Sequence, residues 1–275
     1  MDSKTKLCAL IGSPIGHSLS PAMHNAGFRA LGLNFVYLSF ETSEAKPAID
    51  AMRSLDIRGY NVTMPLKQQA MGLVDGLDPL AKKCGAVNTI VNGNGKLKGY
   101  NTDVVGAVNA LEKRTKIAGK RILLVGCGGA GSAIAAGLSE RKASLFVTDR
   151  DGKKAEALAE RAGAKSVAAQ NAVQTEAEII VNASPAGMRP LENSLPLPEG
   201  VLEKLLNNKN IIVFDIVYNP VETRLLKMVK QKGAATIGGT EMLLGQALAA
   251  FELFTGKKAP AHEMENALLA GLETH

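Results

Sequence analysis

The feature that most restricts the fold of this chain is a short strand pattern followed directly by a glycine-rich turn. The strand pattern covers Arg121–Val125, the segment Gly126-Cys-Gly-Gly-Ala-Gly131 comes next, and a helical pattern follows near residues 130–141. Glycine permits the tight turn and a close approach of ligand to backbone, while free amides at the start of a helix favour a phosphate. Strand, loop and helix in this order predict a parallel α/β unit that binds a dinucleotide. The alternative is a glycine-rich turn without a ligand.

An acidic residue stands where such units usually contact a ribose. Asp149 follows the next predicted strand, near residues 144–148, at roughly the twenty-residue separation typical of dinucleotide folds. Its carboxylate would bind the ribose hydroxyls of NAD, but it would repel the 2′-phosphate of NADP by at most about 4 kcal/mol at an effective dielectric of about 20. Arg150 could offset part of that repulsion, or could simply belong to a solvated turn with Asp151. We expect NAD as the preferred cofactor and NADP as the alternative, with nucleotide contacts at Gly126, Gly128, Gly129, Ala130, Asp149 and Arg150.

Composition excludes several other classes of protein. The net charge of +6 allows anionic ligands, but only 4% of residues are aromatic and none is Trp, which disfavours stacking on nucleic-acid bases. The 3 cysteines are widely spaced and the 4 histidines show no metal-binding spacing, so we expect no metal site and a reducing, cytoplasmic location. We also expect no secretory leader and no membrane span, because no long uninterrupted apolar run is present.

Strand and helix patterns alternate along the whole chain, which predicts an α/β protein with mostly parallel strands and two domains. We expect a first domain over residues 1–102, completed by a C-terminal helical segment of about residues 240–275, and a second domain over 103–239. The predicted strands lie at residues 6–11, 35–40, 59–62, 86–91, 96–100, 121–125, 144–148, 178–182, 211–214 and 235–237.

Two hydroxyl side chains precede the first predicted helix. Ser18 and Ser20 flank one residue just before Pro21, the predicted first helical position. Donors at a helix N-terminus form a site for a carboxylate. The alternative is that Ser20 is an ordinary helix cap.

Two further polar clusters fall where strands of the first domain end. One contains Thr63 and Lys67, and the other contains Asn88, Asn101 and Asp103. A partly desolvated lysine can give or take a proton, although most lysines are solvated surface cations. Asp103 falls in the first turn of the helix predicted to begin at a Thr102 cap, where it could equally do no more than complement the helix dipole.

Taken together, these motifs resemble the shikimate dehydrogenase family, including its quinate/shikimate members. The resemblance extends over nearly the whole chain, in matching order, through the segments Gly12–Pro21, Asn61–Lys67, Ala86–Thr89, Gly99–Asp103 and Gly238–Gln246. It implies an N-terminal α/β substrate-binding domain and a C-terminal Rossmann domain that face each other across a cleft. It also implies reversible oxidation of shikimate, or of quinate, by NAD(P).

The resemblance implies a role for individual residues as well. Lys67 and Asp103 match the catalytic acid–base pair, in which Lys67 takes the hydroxyl proton and Asp103 orients the lysine. Matches to positions that hold the substrate carboxylate, the ring hydroxyls and the substrate-side tyrosine are Ser18, Ser20, Thr63, Asn88, Gln246 and Tyr218. Ile216 and Gly239 match positions that line the nicotinamide.

The chain departs from the common family pattern after the second Rossmann strand. NADP-binding members have Asn-Arg-Thr there, whereas this sequence has Asp149-Arg150-Asp151, which favours the NAD-using quinate/shikimate branch. The serine pair, in contrast, is the pattern of shikimate-specific members. Two rival interpretations stay open: a non-catalytic sensor of NAD or a metabolite, and a dehydrogenase of another small hydroxy acid. We expect a monomer or a homodimer with a small-molecule substrate and no nucleic-acid or membrane partner.

Overall fold

The computed structural model describes residues 1–273, which form two compact units. The first unit comprises residues 1–106 and the chain from Leu244 onward, and the second comprises Ala107–Leu243. Both boundaries fall inside helices, α4 and α9. The last two residues of the predicted C-terminal segment, 274 and 275, lie outside the described residues.

The first unit contains a mixed six-stranded sheet in the order β2-β1-β3-β5-β6-β4. Strands β1, β2 and β3 are parallel, while β5 runs antiparallel to both β3 and β6. The strands are β1 (Lys6–Gly12), β2 (Phe35–Glu41), β3 (Gly59–Val62), β4 (Gly76–Leu77), β5 (Thr89–Gly93) and β6 (Lys96–Tyr100). The helices with residues in this unit are α1 (Ser20–Ala30), α2 (Ala45–Ser54), α3 (Pro79–Cys84), α4 (Thr102–Glu112), α9 (Gly239–Thr255) and α10 (Ala261–Glu273).

Strand β1 is buried on both faces of this sheet. Ala9 and Ile11 point into a core that also contains Ile49 and Met52 of α2. The intervening residues Cys8 and Leu10 are buried as well, as the period of two in a strand requires. The sheet is therefore covered by helices on both sides, which is typical of a largely parallel arrangement.

The C-terminal helices α9 and α10 are part of the packing of the first unit. A Cβ at Gly27 of α1 would meet Phe251 of α9 at 2.7 Å and Met264 of α10 at 3.1 Å, so α1 approaches both helices closely. A Cβ at Gly59 of β3 would overlap the ring of Phe254. Glycine at these two positions therefore allows the close contact of helix and sheet.

The second unit contains an all-parallel sheet in the order β12-β11-β10-β7-β8-β9. Counted from β7, this is the doubly wound order 3-2-1-4-5-6 of a Rossmann domain. Its strands are β7 (Arg121–Val125), β8 (Ser144–Thr148), β9 (Lys165–Ser166), β10 (Ile179–Asn182), β11 (Ile212–Asp215) and β12 (Ala235–Ile237). Its remaining helices are α5 (Gly129–Glu140), α6 (Gly152–Ala162), α7 (Glu199–Leu205) and α8 (Arg224–Gln231). The expected α/β fold with a C-terminal Rossmann domain is confirmed.

Three local predictions were wrong. Ser20 is the first residue of α1 and not its cap; Leu19 holds the cap position, without a side-chain hydrogen bond. Thr102 likewise begins α4, and the preceding Asn101 accepts the amide of Val104 at 3.4 Å instead. Strand β5 begins at Thr89 and not near Ala86, because the amides before it bond to partners outside a regular ladder, such as Val87 to the carbonyl of Lys67.

Candidate active site

Lys67 and Asp103 form an ion pair in the first unit. The Lys67 Nζ donates to the Asp103 Oδ2 at 2.6 Å. The two side chains are 23% and 14% exposed, so the pair is shielded but still open to a small molecule. Lys67 lies in the turn after β3 and Asp103 in the first turn of α4. The structure therefore brings together two residues that the sequence placed on separate elements.

Asn88 connects the strand that precedes Lys67 to the helix that contains Asp103. Its backbone amide donates to the Tyr100 carbonyl at 3.0 Å and its carbonyl accepts the Val62 amide at 2.7 Å. Its side-chain Oδ1 accepts the Thr102 amide at 2.7 Å, and its Nδ2 donates to the Thr102 hydroxyl at 3.0 Å. This side chain, predicted to bind substrate, therefore also fixes the start of α4.

A chain of buried hydrogen bonds extends from Asn88 across the sheet. The Tyr37 hydroxyl donates to the Asn61 Oδ1 at 2.7 Å, and the Asn61 Nδ2 donates to the Thr89 hydroxyl at 3.0 Å. The Thr89 hydroxyl in turn donates to the Asn88 Oδ1 at 3.0 Å. Burial raises the pKa of Tyr37 well above its ordinary value, so the phenol stays a neutral donor. Sequence analysis assigned no role to Tyr37, Asn61 or Thr89, whose polar groups have little value as a signal until the sheet register is known.

The two predicted carboxylate ligands lie at the start of α1. Ser18 is partly exposed, and its hydroxyl accepts the backbone amide of Ser20 at 3.3 Å. Ser20 is 8% exposed. Both hydroxyls thus lie beside the N-terminal amides of an 11-residue helix, where a negative charge is favoured.

Thr63 and Gln246 belong to the same unit. Thr63 directly follows β3, and its side chain packs against the backbone of Gly12, at which a Cβ would overlap the Thr63 methyl group. Gly12 also has a φ of 150°, so only glycine fits comfortably there. Gln246 lies partly buried on α9.

The glycine loop of the second unit has the geometry that its sequence predicted. Gly126 has a φ of 102°, and a Cβ there would meet the backbone of Ala183 and Ser184 at 2.7 Å. A Cβ at Gly131 would overlap the carbonyl oxygen of Gly126. At Gly128 and Gly129, in contrast, a Cβ would meet nothing within 4 Å. Two glycines of the loop therefore serve packing, and two leave open space before the first turn of α5.

Asp149 follows β8, and one of its carboxylate oxygens holds the glycine loop while the other holds the turn before α6. Its Oδ2 accepts the Cys127 amide at 2.7 Å and its Oδ1 accepts the Asp151 amide at 3.0 Å. Asp151 caps α6 by accepting the Lys153 amide at 3.0 Å. Of the two carboxylates considered for the ribose side, Asp151 therefore has a local structural role.

A cavity of about 360 Å³ opens beside this loop. Its walls include the predicted nucleotide contacts Gly126, Gly128, Asp149 and Arg150, together with Lys154, Ser184 and Leu195, which sequence analysis did not select. Ser184 and Leu195 both lie in the segment between β10 and α7, in which sequence analysis identified no nucleotide contact. A larger cavity of about 840 Å³ shares Asp149, Arg150 and Leu195 and extends toward Arg224.

Ile216 and Gly239, predicted to lie at the nicotinamide, are in contact in the second unit. Ile216 follows β11, and its amide donates to the Asn182 carbonyl at 3.0 Å. A Cβ at Gly239 would overlap the Ile216 carbonyl oxygen. Tyr218, two residues beyond Ile216, is partly buried, which raises the pKa of its phenol.

Other kinds of site were sought over the described residues. Within residues 1–273 no group of three or more His, Cys, Asp and Glu side chains has an arrangement that could hold a metal ion. No helix in that range is long and apolar enough to span a membrane. Cys8, Cys84 and Cys127 are buried, and none of them forms a disulfide within the described residues.

A Rossmann unit with an open glycine loop, in a chain that also contains a shielded lysine–carboxylate pair, defines a nucleotide-dependent dehydrogenase. Comparison with family models narrows the class. Residues 10–90 match the shikimate dehydrogenase substrate binding domain and residues 239–269 match the shikimate 5'-dehydrogenase C-terminal domain. Residues 121–212 match the model described as NADP oxidoreductase coenzyme F420-dependent. The chain belongs to the shikimate dehydrogenase family and is an NAD(P)-dependent oxidoreductase.

Individual relatives agree over nearly the full length. The shikimate dehydrogenase (NADP(+)) of Thermococcus kodakarensis is 42% identical over 277 residues, which cover 98% of each chain. A crystal structure of a shikimate dehydrogenase in complex with NADP+ is 38% identical with a TM-score of 0.93, and the match covers 99% of this chain and 97% of that one.

Two further solved structures contain NAD. The shikimate 5-dehydrogenase from Listeria monocytogenes, in complex with shikimate and NAD, is 35% identical with a TM-score of 0.91, and 98% of each chain is covered. The quinate dehydrogenase from Corynebacterium glutamicum, in complex with NAD, is 33% identical with a TM-score of 0.88, and the match covers 97% of this chain and 99% of that one.

Proposed function

We propose that this protein oxidises shikimate reversibly to 3-dehydroshikimate with NAD(P), and that Lys67 and Asp103 form the acid–base pair. The observation that carries the proposal is the 2.6 Å contact between the Lys67 Nζ and the Asp103 Oδ2 in a shielded position. An alcohol oxidation needs a group that removes the hydroxyl proton, and a held lysine amine meets that need.

The first unit supplies the substrate contacts in this proposal. The hydroxyls of Ser18 and Ser20, beside the N-terminus of α1, bind the substrate carboxylate, which the helix dipole also stabilises. Thr63, Asn88 and Gln246 bind the ring hydroxyls. Lys67 receives the proton of the reacting hydroxyl, while Asp103 keeps the amine directed at it. Tyr218 is a further substrate contact in this proposal.

The second unit holds the nucleotide. The open space at Gly128 and Gly129, before the first turn of α5, fits a pyrophosphate, and the cavity of about 360 Å³ continues past Asp149 and Arg150, which lie where a ribose would bind. Ala130 provides an amide in that first turn, and Ile216 and Gly239 contact the nicotinamide. The nucleotide, when bound, accepts or returns the hydride.

The test is a Lys67→Ala variant and a matched Asp103→Asn variant. We expect Lys67→Ala to lower kcat for shikimate oxidation by about 100-fold or more, because the variant lacks the amine that takes the proton in this proposal. Nucleotide affinity should stay within about 3-fold, since the lysine lies in the other unit. Unchanged turnover in Lys67→Ala would remove the lysine from its proposed role. Nucleotide binding without turnover of any hydroxy acid would favour the sensor instead.

For the cofactor, we propose a preference for NAD over NADP. The support is the Asp149 carboxylate, which stands beside the cavity with both oxygens held in place by backbone amides. The relatives described as NADP(+)-dependent argue for the opposite preference. Asp149→Asn keeps the acceptor for the Cys127 amide and removes the charge, so the ratio of kcat/KM for NADP to that for NAD should rise by about 10-fold or more. An unchanged ratio would contradict the assignment.

Three finer features are part of the same proposal. Quinate is a second substrate, to be tested by steady-state kinetics on the two acids crossed with the two cofactors. A reducing, cytoplasmic location is also proposed, since the three cysteines are buried and outside any disulfide of the described residues. We propose a monomer or a homodimer, which light scattering distinguishes.

A further inference from the structure

A buried polar cluster lies beneath two loops of the Rossmann unit. It consists of Asn182 at the end of β10, Asp215 at the end of β11 and Thr223 at the cap of α8, and each of these residues is 0% exposed. None of them lines the nucleotide cavity. In open parallel sheets, ligands bind beyond the carboxyl ends of the strands, so the cluster lies directly behind the loops that are placed to contact a ligand.

Asp215 is the centre of the cluster. Its Oδ1 accepts the Asn182 Nδ2 at 2.9 Å and the Val217 amide at 3.1 Å. Its Oδ2 accepts the Thr223 hydroxyl at 2.6 Å. These three donors come from three separate segments, so one carboxylate ties together the end of β10, the loop after β11 and the start of α8.

Asn182 extends the connection to the loop after β10. Its Oδ1 accepts both the amide of Ser184, at 3.1 Å, and the Ser184 hydroxyl, at 2.6 Å. Its Nδ2 also donates to the Ala186 carbonyl at 3.1 Å. Ser184 and Ala186 line the cavity of about 360 Å³, and the backbone of Ser184 touches Gly126 of the glycine loop. The position of this cavity wall therefore depends on the orientation of Asn182, which Asp215 fixes.

The second loop depends on Asp215 more directly. The Val217 amide donates to the Asp215 carboxylate, and Val217 lies between Ile216 and Tyr218 in the sequence. The Ile216 amide is held by the Asn182 carbonyl at 3.0 Å, and its own carbonyl lies against Gly239. A shift of the carboxylate would thus move both residues that the proposed function places at the nicotinamide and the substrate.

Burial of a carboxylate between these segments costs free energy of folding. All three groups bonded to it are neutral, and burial raises the pKa of Asp215 to about 6 despite the three hydrogen bonds. An apolar residue would stabilise such a position more cheaply. An acceptor that can serve three converging donors is needed only if the exact conformation of the loops matters.

We propose that Asp215 is a positioning residue for the nucleotide, and that through Asn182 and Val217 it sets the loops at residues 183–187 and 216–218 in their binding conformation. The inference deepens the proposed function and rests on it. Asp215 itself does not line the cavity of about 360 Å³.

The experiment compares Asp215→Ala with the isosteric Asp215→Asn. The asparagine keeps the Oδ1 acceptor, and its Nδ2 can donate to the Thr223 hydroxyl. Binding of the reduced dinucleotide that the wild type prefers is measured by calorimetry without substrate. We expect Asp215→Ala to raise Kd by about 10-fold or more and Asp215→Asn to stay within about 3-fold. In steady state, the KM for nucleotide should rise more than the KM for shikimate.

Thr175→Val is the matched control. Thr175 is also buried in this unit, and its hydroxyl donates only to the Ala172 carbonyl of its own 3-10 turn, at 2.7 Å. The Thr175→Val variant should be less stable than the wild type but should bind the reduced dinucleotide with an unchanged Kd. If Asp215→Ala does not fold, Thr223→Val and Thr223→Ser give the same comparison, with the loss expected in valine and rescue in serine.

The outcomes separate the two proposals. A wild-type protein that binds neither NADH nor NADPH would overturn the proposed function. A wild type that binds, together with an Asp215→Ala variant of equal Kd, would overturn the positioning role alone. So would a Thr175→Val variant that weakens binding as much as Asp215→Ala at an equal loss of stability.

Discussion

Replacement of His24 by phenylalanine should remove the loss of stability in acid that this buried histidine causes. The His24 ring is 0% exposed and stacks on Tyr37 with ring centroids 4.4 Å apart and an interplanar angle of 4°. Phe251 and Phe254 pack nearby, at 6.2 and 5.7 Å. Neither ring nitrogen has a hydrogen-bond partner. Burial alone therefore lowers the pKa of His24 to about 3, and the folded protein keeps the ring neutral.

The size of the effect follows from the two protonation states. The free imidazole has a pKa of 6.5, so at pH 5 the unfolded chain binds a proton that the folded chain excludes. The stabilisation that comes from the neutral ring is thus fully present above pH 6.5 and is lost as the pH falls toward 3. At pH 5, about 1.5 below the unfolded value, the loss is about 2 kcal/mol in the free energy of unfolding.

Asp215 changes the unfolding free energy with pH in the opposite direction, so its effect must be separated from that of His24. Burial raises its pKa from 3.8 to about 6, so the folded protein binds the extra proton and gains stability as the pH falls from 7 to 5. That gain is about 1 kcal/mol. The raw pH dependence of the wild type is therefore a sum of opposing effects, and only the difference between wild type and variant isolates His24.

The assay is urea denaturation of the wild type and His24→Phe at pH 7 and at pH 5, followed by circular dichroism. Phenylalanine is bulkier, so the absolute stability of the variant can shift, but it does not titrate. The difference in unfolding free energy should grow by about 2 kcal/mol in favour of the variant at pH 5, or about 1 M in urea midpoint at a slope of about 2 kcal/mol per M. Parallel pH dependences would refute the claim that a neutral, buried imidazole costs stability in acid.

Two further predictions concern hydrogen bonding and packing at the site. Thr102→Val leaves the Asn88 side-chain amide without its 3.0 Å acceptor. Because Asp103 would then shift, the variant should lower kcat by about 10-fold with an unchanged KM for nucleotide. Thr102→Ser should restore kcat, and equal kcat values in the two variants would contradict this. Gly131→Ala places a Cβ on the Gly126 carbonyl oxygen and should cost about 3 kcal/mol or more in thermal unfolding, whereas Gly128→Ala, which meets nothing within 4 Å, should cost about 1 kcal/mol or less. Similar losses in the two glycine variants would show that the loop relaxes around the added methyl group.

Strands bounded by turn residues could be predicted closely from the sequence. The bounds of β3, β6, β7, β8 and β12 agree with the prediction. Asn94 and Gly95, between β5 and β6, both have positive φ, which Asn and Gly accept more readily than other residues. In each case the local pattern and the tertiary structure favour the same conformation.

Helix caps could not be predicted to the residue. Ser20 and Thr102 both have the side chains that caps prefer, yet each lies one position inside its helix. Asn101 fills the cap position of α4 because the Thr102 amide and hydroxyl are bonded to Asn88 across the sheet. A contact from a distant segment therefore decided a choice that local preference left open.

The proposed acid–base pair could be predicted from the sequence, but the hydrogen bonds that support it could not. Lys67 and Asp103 stand in recognisable motifs, and the structure places them in contact. The bonds that connect Tyr37, Asn61 and Thr89 to Asn88 depend on the pairing of β1, β2, β3 and β5. No periodicity in the sequence encodes which buried amide will face which hydroxyl.

The discontinuous first unit has a consequence for biosynthesis. Its sheet strands lie in the first hundred residues, but Phe251, Phe254 and Met264, which pack on Gly27, Gly59 and His24, belong to the final helices. While the ribosome is still making the intervening Rossmann unit, this side of the earlier sheet is covered by α1 but not yet by α9 and α10, so part of its apolar surface is open to chaperones or to self-association. The nucleotide-binding half can fold once its own residues are made, whereas the half that contains Lys67 and Asp103 must await synthesis of α9 and α10.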